Sequence, residues 1–232
     1  MISNVNNVYI LTPIELTVIA AAKNIRGILS IQNTGKAVDE TAVIQALNHL
    51  YQQQFILNAE DDGFVLEADL QKLIVGIEEA KFIILIRHFT DDAGMKMIYV
   101  GRYLVAVEQR KRNMSSVWIY EIPREELRDF LAEDMQQKAK SYRSILDEKR
   151  LFFEGIQKKH ILQDDEAEAM GNIITMVEKI TPKNNSVSCR MIVKDEKKWI
   201  QYIRGEKEVK YSEKDFLNSL VEMIEEELND IS

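Results

Sequence analysis

The chain has 232 residues, of which 46% are hydrophobic and 29% charged, and its formal net charge is −8. This composition indicates a globular protein with one large or two small hydrophobic cores, and it excludes disordered and collagen-like classes. Because there are only 9 glycines and 3 prolines, few segments are expected to lack regular structure. The acidic balance disfavours non-specific binding to nucleic acids or anionic membranes.

The sequence predicts a cytoplasmic protein without a membrane span. Residues 1–11 contain no Lys or Arg, and the apolar stretch Leu16–Ala22 is bounded by Glu15 and Lys23. A secretory signal needs a basic start, and a membrane span needs about 20 apolar residues. The single Cys189 cannot form an internal disulfide, which fits a reducing compartment.

Residues 1–80 are predicted to form a winged-helix-like segment. Thr12 and Glu15 have the spacing of a capping box, and Leu11 and Leu16 that of a hydrophobic staple, so a helix begins between them. The predicted elements are a helix over 13–24, a helix from Asp39, strands at 55–57 and 64–66 joined by an acidic turn, and a helix with Leu70, Leu73, Ile74 and Ile77 on its buried face.

Residues 81–136 are predicted to form an antiparallel meander followed by a helix. Segments rich in β-branched and aromatic residues alternate with short turns, and short connections favour antiparallel pairing. The strands are predicted at 82–89, 96–100, 103–109 and 117–122, with turns at 90–94, 101–102 and 110–116 and a helix from Pro123.

The remaining residues are predicted to form a helical hairpin over 137–181, and a second strand set with a final helix over 182–232. The hairpin pairs a continuation of the helix from Pro123 with a helix over Asp164–Lys179. The second strand set repeats the order of the first: strands at 186–194, 198–203 and 207–211, then a helix from Ser212. Two sheet-then-helix units predict one integrated α+β domain with a pseudo-symmetric antiparallel sheet.

The search for chemistry finds no catalytic, cofactor or metal motif. No two glycines lie closer than seven residues, which excludes the dinucleotide fingerprint and the phosphate loop. His49, His88 and His160 share no spacing, so each is interpreted as structural or solvated. The string from Asn58 to Asp69 resembles a calcium loop, but its apolar flanks favour an acidic hairpin turn.

The pattern resembles the EspG-type chaperones of type VII (ESX) secretion and their Firmicute relatives. The resemblance covers almost the whole chain as architecture, and its sequence features lie in the first 80 residues. They are the opening Leu11–Leu16, a helix with Leu47, Leu50 and Tyr51 leading into Phe55–Leu57, the turn at Gly63, and a helix with Leu70, Leu73 and Ile77.

The resemblance implies a protein that holds helical secretion substrates before export, of the LXG/WXG or PPE-like kinds. It also implies that a loop between central strands and the helical bundle contact the substrate. By position, these partner-binding residues are Thr90, Asp91, Asp92, Ala93 and Gly94 in the loop, and Phe152, Phe153 and Met170 in the bundle.

These observations lead to a non-enzymatic, cytosolic binding protein without a cofactor. The alternative is a winged-helix transcriptional regulator with an α+β effector domain, although three acids at the tip of its wing would face DNA phosphates. An unrecognised hydrolase would need paired titratable groups in a cleft.

Overall fold

The structure is a computed structural model, and it confirms the α+β class. It describes residues 7–23, 25, 39–58, 64–88, 94–110, 113–135, 173–181, 186–195, 198–203, 209–211 and 213–229. The strands are β1 (Tyr9–Leu11), β2 (Ile56–Asn58), β3 (Phe64–Leu66), β4 (Phe82–His88), β5 (Gly94–Val100), β6 (Leu104–Arg110), β7 (Asn113–Glu121), β8 (Ile173–Thr181), β9 (Ser186–Asp195), β10 (Lys198–Ile203) and β11 (Val209–Tyr211). The helices are α1 (Pro13–Ala22), α2 (Glu40–Gln52), α3 (Ala68–Glu78), α4 (Leu127–Met135) and α5 (Glu213–Asn229), and a short 3₁₀ turn (Arg124–Glu126) precedes α4.

The main sheet has the predicted pseudo-symmetry. Nine strands lie in the order β1-β7-β6-β5-β4-β8-β9-β10-β11, and every neighbouring pair is antiparallel. The meanders β4–β7 and β8–β11 meet at their first strands, which pair with Ile83 opposite Ile180 and Ile86 opposite Val177. Each meander is followed by a helix, α4 or α5. A two-fold axis normal to the sheet, between β4 and β8, therefore relates the two units.

Both faces of the first meander are buried. Successive side chains of a strand point to opposite faces, and in β4 the residues Phe82, Ile84 and Ile86 join one hydrophobic cluster while Ile83 and Leu85 join another. Helices α4 and α5 cover the first face. Helices α1, α2 and α3 and the hairpin β2–β3 cover the second, and we call these four elements the N-terminal layer.

Local sequence signals set the order of the N-terminal layer, as predicted. Thr12 caps α1: its Oγ1 accepts the Glu15 N–H at 3.2 Å, and Glu15 Oε2 accepts the Thr12 N–H at 2.6 Å. Asp39 caps α2 by accepting the Ala42 N–H at 2.7 Å. The hairpin that follows pairs β2 with β3, so the helix, helix, hairpin, helix order is confirmed.

The helix predicted over Asp164–Lys179 is wrong in its described part. Residues Ile173–Thr181 form β8, which lies between β4 and β9 in the middle of the sheet. Ile174 and Val177 fit a helical period, but this short segment is rich in β-branched residues, which suit a strand buried between two neighbours. Residues 164–172 of that prediction lie outside the described residues.

Several boundaries also differ from prediction. The turn predicted over 90–94 is wrong at Gly94, which begins β5 and pairs with Arg110 of β6. The turn predicted over 110–116 is shorter, because β7 begins at Asn113 and a register shift at Gln109 and Arg110 absorbs the irregularity. The helix predicted from Pro123 begins with the 3₁₀ turn before α4. The continuation of this helix through the predicted hairpin lies outside the described residues.

Candidate protein-interaction surface

Among the residues whose exposure the structure describes, six large apolar side chains are exposed. They are Val8, Ile10, Ile44, Tyr51, Leu57 and Val65. The last four belong to α2 and the hairpin, and we call them the α2–hairpin surface. Isolated exposed apolar residues are ordinary on a protein surface, so the arrangement of these residues decides whether they form a site.

The hairpin half of this surface is a cross-strand pair. Leu57 on β2 lies directly opposite Val65 on β3, and their exposed fractions are 50% and 48%. Ile56 and Leu66 form the next pair on the opposite face, where both are buried in the core of the N-terminal layer. The hairpin thus has apolar residues on both faces, and the inner face alone accounts for its packing.

The α2 half of the surface is a pair of residues one heptad apart. Ile44 and Tyr51 lie on the same side of the helix because seven residues make almost two turns, and their exposed fractions are 51% and 53%. The helix packs through other positions, with Ala46 and Leu50 buried. The exposed pair is therefore not needed for the attachment of α2 to the core.

The segment that carries this surface has acids near both of its ends and no basic Lys or Arg. Residues 39–67 include six acids, Asp39, Glu40, Glu60, Asp61, Asp62 and Glu67, and contain no Lys or Arg. This segment therefore has a formal charge of −6, out of −8 for the whole chain. Its field attracts cations and repels anions within about 8 Å at physiological ionic strength.

A polar cluster ties the base of the hairpin to the edge of the main sheet. The Tyr9 hydroxyl donates to Glu67 Oε2 at 2.5 Å, and the same carboxylate accepts the Leu70 N–H at 3.0 Å at the start of α3. The donated hydroxyl lowers the pKa of Glu67, whereas burial and the neighbouring carboxylate raise the pKa of Tyr9. The Tyr9 and Phe55 rings pack edge to face with centroids 5.2 Å apart.

A second polar contact joins α1 to α2. The Glu15 side chain is buried, and its Oε1 contacts Nδ1 of His49, whose ring is half exposed. Glu15 Oε2 accepts the Thr12 N–H, so both carboxylate oxygens have partners. This contact ties the last turn of α2, next to the exposed Tyr51, to α1.

A cavity of about 380 Å³ lies on another part of the described structure. Its described lining comprises Arg102, Tyr103, Leu104, Glu121, Ile122, Pro123, Arg124 and Glu125. Lys72 Nζ lies 2.5 Å from Glu121 Oε2 and 4.7 Å from the centroid of the Tyr103 ring. The described lining thus combines two arginines, two glutamates and a tyrosine.

The described residues were searched for metal-binding groups and for membrane-spanning helices. Within that part of the chain, no three His, Cys, Asp or Glu side chains are grouped so as to hold a metal ion. None of the described helices is long and apolar enough to cross a membrane.

The partner-binding residues predicted from the resemblance fall almost entirely outside the described residues. Gly94 is the first residue of β5 and lies opposite Arg110 on β6. The other predicted contact residues are not described by the structure: Thr90, Asp91, Asp92, Ala93, Phe152, Phe153 and Met170. Their role as substrate contacts stays a prediction.

The α2–hairpin surface was not identified from the sequence. The strand around Ile56 is a run of apolar residues, so the sequence does not show which of them point inward. On α2, Tyr51 was predicted to share an apolar face with Leu47 and Leu50, whereas the structure exposes it. The available signal was the charge of residues 39–67, which contain six acids and no Lys or Arg, because a solvated surface normally mixes both charges.

Comparison with known proteins adds no relative to this description. No family model matches the chain, and the search of curated proteins finds no match.

Proposed function

We propose that this chain is a non-enzymatic, cytosolic binding protein that acts as a chaperone for helical export substrates, as the resemblance to type VII secretion chaperones implies. The observation that carries the proposal is the α2–hairpin surface, with four large apolar side chains about half exposed. A folded layer that keeps such residues in solvent at positions not used for its own packing is typical of a protein-interaction site.

The mechanism is masking. An apolar helical tip of the substrate is buried against the chaperone, so that substrate molecules do not associate with one another before export. A standard interface of about 800 Å² per partner is sufficient for a specific complex. No covalent chemistry is required.

The charge of the N-terminal layer favours a polypeptide partner over DNA. In a winged-helix regulator, a helix such as α2 enters the major groove and the hairpin contacts the backbone. Here α2 and the hairpin lie in a segment that contains six acids and no Lys or Arg. Such a surface repels phosphates instead of neutralising them.

Co-expression with small helical proteins encoded by neighbouring genes tests the function, with size-exclusion chromatography as the readout. We expect at least one of them to co-elute with the chain as a stable complex, while an unrelated soluble helical protein does not. The proposal fails if none co-elutes. A salt-sensitive shift of a DNA fragment would support the regulator instead.

A further inference from the structure

From the geometry and charge of the α2–hairpin surface, we infer that its ligand is a basic amphipathic helix, with apolar residues on one face and Lys or Arg beside them. This inference specifies the partner class at the site on which the proposed function rests. The partner contacts Leu57 and Val65, which form a half-exposed cross-strand pair on the hairpin.

The spacing of the hairpin pair suits a helix. Residues directly opposite on antiparallel strands have Cβ atoms about 5 Å apart, and Leu57 and Val65 are such a pair. Neighbours one turn apart on a helix have Cβ atoms about 5–6 Å apart. Apolar residues at positions i and i+4 of the partner can therefore each contact one member of the pair. This is the usual mode in which an amphipathic helix is recognised.

The charge around the surface selects a basic partner. Asp39 and Glu40 are exposed at the start of α2, and Glu67 is held ionised at the end of the hairpin by the Tyr9 hydroxyl. No Lys or Arg occurs between these positions in the chain to offset them. Cations flanking the apolar face of the partner would meet these carboxylates at the rim, where complementarity governs specificity and association rate.

The surface is also held in place without its ligand. Glu67 and Tyr9 fix the hairpin to β1, and the buried Glu15 contacts His49 on α2. These contacts join the hairpin and α2 to neighbouring elements, so the four apolar side chains are carried by a preformed layer. A preformed site loses less conformational entropy on binding than one that must be ordered.

The test measures binding of synthetic peptides to the full chain by fluorescence anisotropy at about 0.15 M salt. The probe is an 18-residue helix of Leu and Lys with Leu on one face, and the control peptide has Glu at every Lys position. The double variant Leu57→Ser/Val65→Ser removes the hairpin pair. The matched control Val8→Ser/Ile10→Ser removes two aliphatic side chains of similar exposure that lie outside the acidic segment.

We expect the Leu57→Ser/Val65→Ser variant to bind the Leu/Lys peptide at least tenfold more weakly than the unaltered chain, because two aliphatic contacts are lost. The affinity of the Val8→Ser/Ile10→Ser variant for the Leu/Lys peptide should stay within about twofold of that of the unaltered chain. The unaltered chain should bind the Leu/Glu peptide at least tenfold more weakly than the Leu/Lys peptide. Equal losses in both double variants would overturn the inference. So would equal binding of the two peptides, or no binding of the Leu/Lys peptide by the unaltered chain. Thermal unfolding of each variant checks that it is folded.

The same variants separate this inference from the proposed function. If an export substrate co-elutes equally well with the Leu57→Ser/Val65→Ser variant, the chaperone function stands and the location of the site is wrong. If the peptides behave as expected but no neighbouring helical protein co-elutes, the surface stands and the chaperone function is wrong.

Discussion

Replacement of Gly76 by Ala tests the packing that supports the N-terminal layer. Gly76 is buried in α3, where a Cβ would lie 2.7 Å from Val105 Cγ2 and 3.3 Å from Tyr103 Cβ. Favourable contacts between carbon atoms lie at about 3.5–4.0 Å. The new methyl group would therefore overlap with β6 unless the helix or the strand moves.

The size of the effect follows from two opposing terms. An Ala in place of a Gly within a helix stabilises it by about 1 kcal/mol, whereas overpacking of a core costs about 1–3 kcal/mol. Val105 is fully buried in β6 between two neighbouring strands, and its β-branched side chain has little freedom to rotate away. We therefore take an overpacking cost in the upper part of its range. After the gain in helix stability is subtracted, we expect Gly76→Ala to lower the free energy of unfolding by about 1–2 kcal/mol.

Urea denaturation of four proteins measures this effect: the unaltered chain, Gly76→Ala, Val105→Ala and the double variant. Val105→Ala removes the methyl group with which the new Cβ would collide. The Gly76→Ala substitution should therefore cost less in that background, by a coupling energy on the order of 1 kcal/mol. An unchanged or increased stability of Gly76→Ala, or strict additivity in the double variant, would refute the proposed overlap.

Four further substitutions, at three residues, test the polar contacts. Glu15→Ala should lower the free energy of unfolding by about 2 kcal/mol because it removes a helix cap and a buried contact. Glu15→Gln should cost less in the same urea titration, since the amide oxygen still accepts a backbone N–H. Lys72→Ala should cost less than about 1 kcal/mol by thermal unfolding, because its ion pair with Glu121 is solvent-exposed. Tyr9→Phe should cost about 1–2 kcal/mol at neutral pH. Because the hydroxyl lowers the folded-state pKa of Glu67, this contribution exists above the unfolded-state pKa near 4.5 and is lost as pH falls through the folded-state pKa. The role of the Tyr9 hydroxyl would be contradicted if the free energies of unfolding of Tyr9→Phe and the unaltered chain did not converge in urea titrations at low pH.

The features that the sequence predicted correctly are encoded over short distances. The capping box of α1 needs only Thr12 and Glu15, three residues apart, and the first meander needs only strands joined by short turns. The final helix likewise follows directly from the strand before it. In each case the interactions that define the element lie within a few residues, where pattern and propensity act together.

The features that the sequence did not reveal depend on distant partners. Strand β8 was assigned to a helix because the segment shows no sign that its neighbours would be β4, about 90 residues earlier, and β9. The contact of Glu15 with His49 joins residues 34 apart. Leu57 is exposed and Ile56 is buried because they point to opposite faces of β2. The sequence does not show which of them points inward, because both residues are apolar. A shift of one residue would exchange the two faces.

The architecture explains why the N-terminal layer is the place to seek a function. Both faces of β4–β7 are buried, so this meander presents no broad surface of its own, and a ligand at this half of the sheet would meet the outer side of a covering layer. The described exposed positions of α5 are Asp215, Glu222, Glu225, Glu226 and Asn229, as expected for a solvated helix face. In the N-terminal layer, α2 and the hairpin instead combine half-exposed apolar side chains with a chain segment that contains acids and no Lys or Arg. Solvation alone would not select this combination, whereas a basic amphipathic partner would use both of its components.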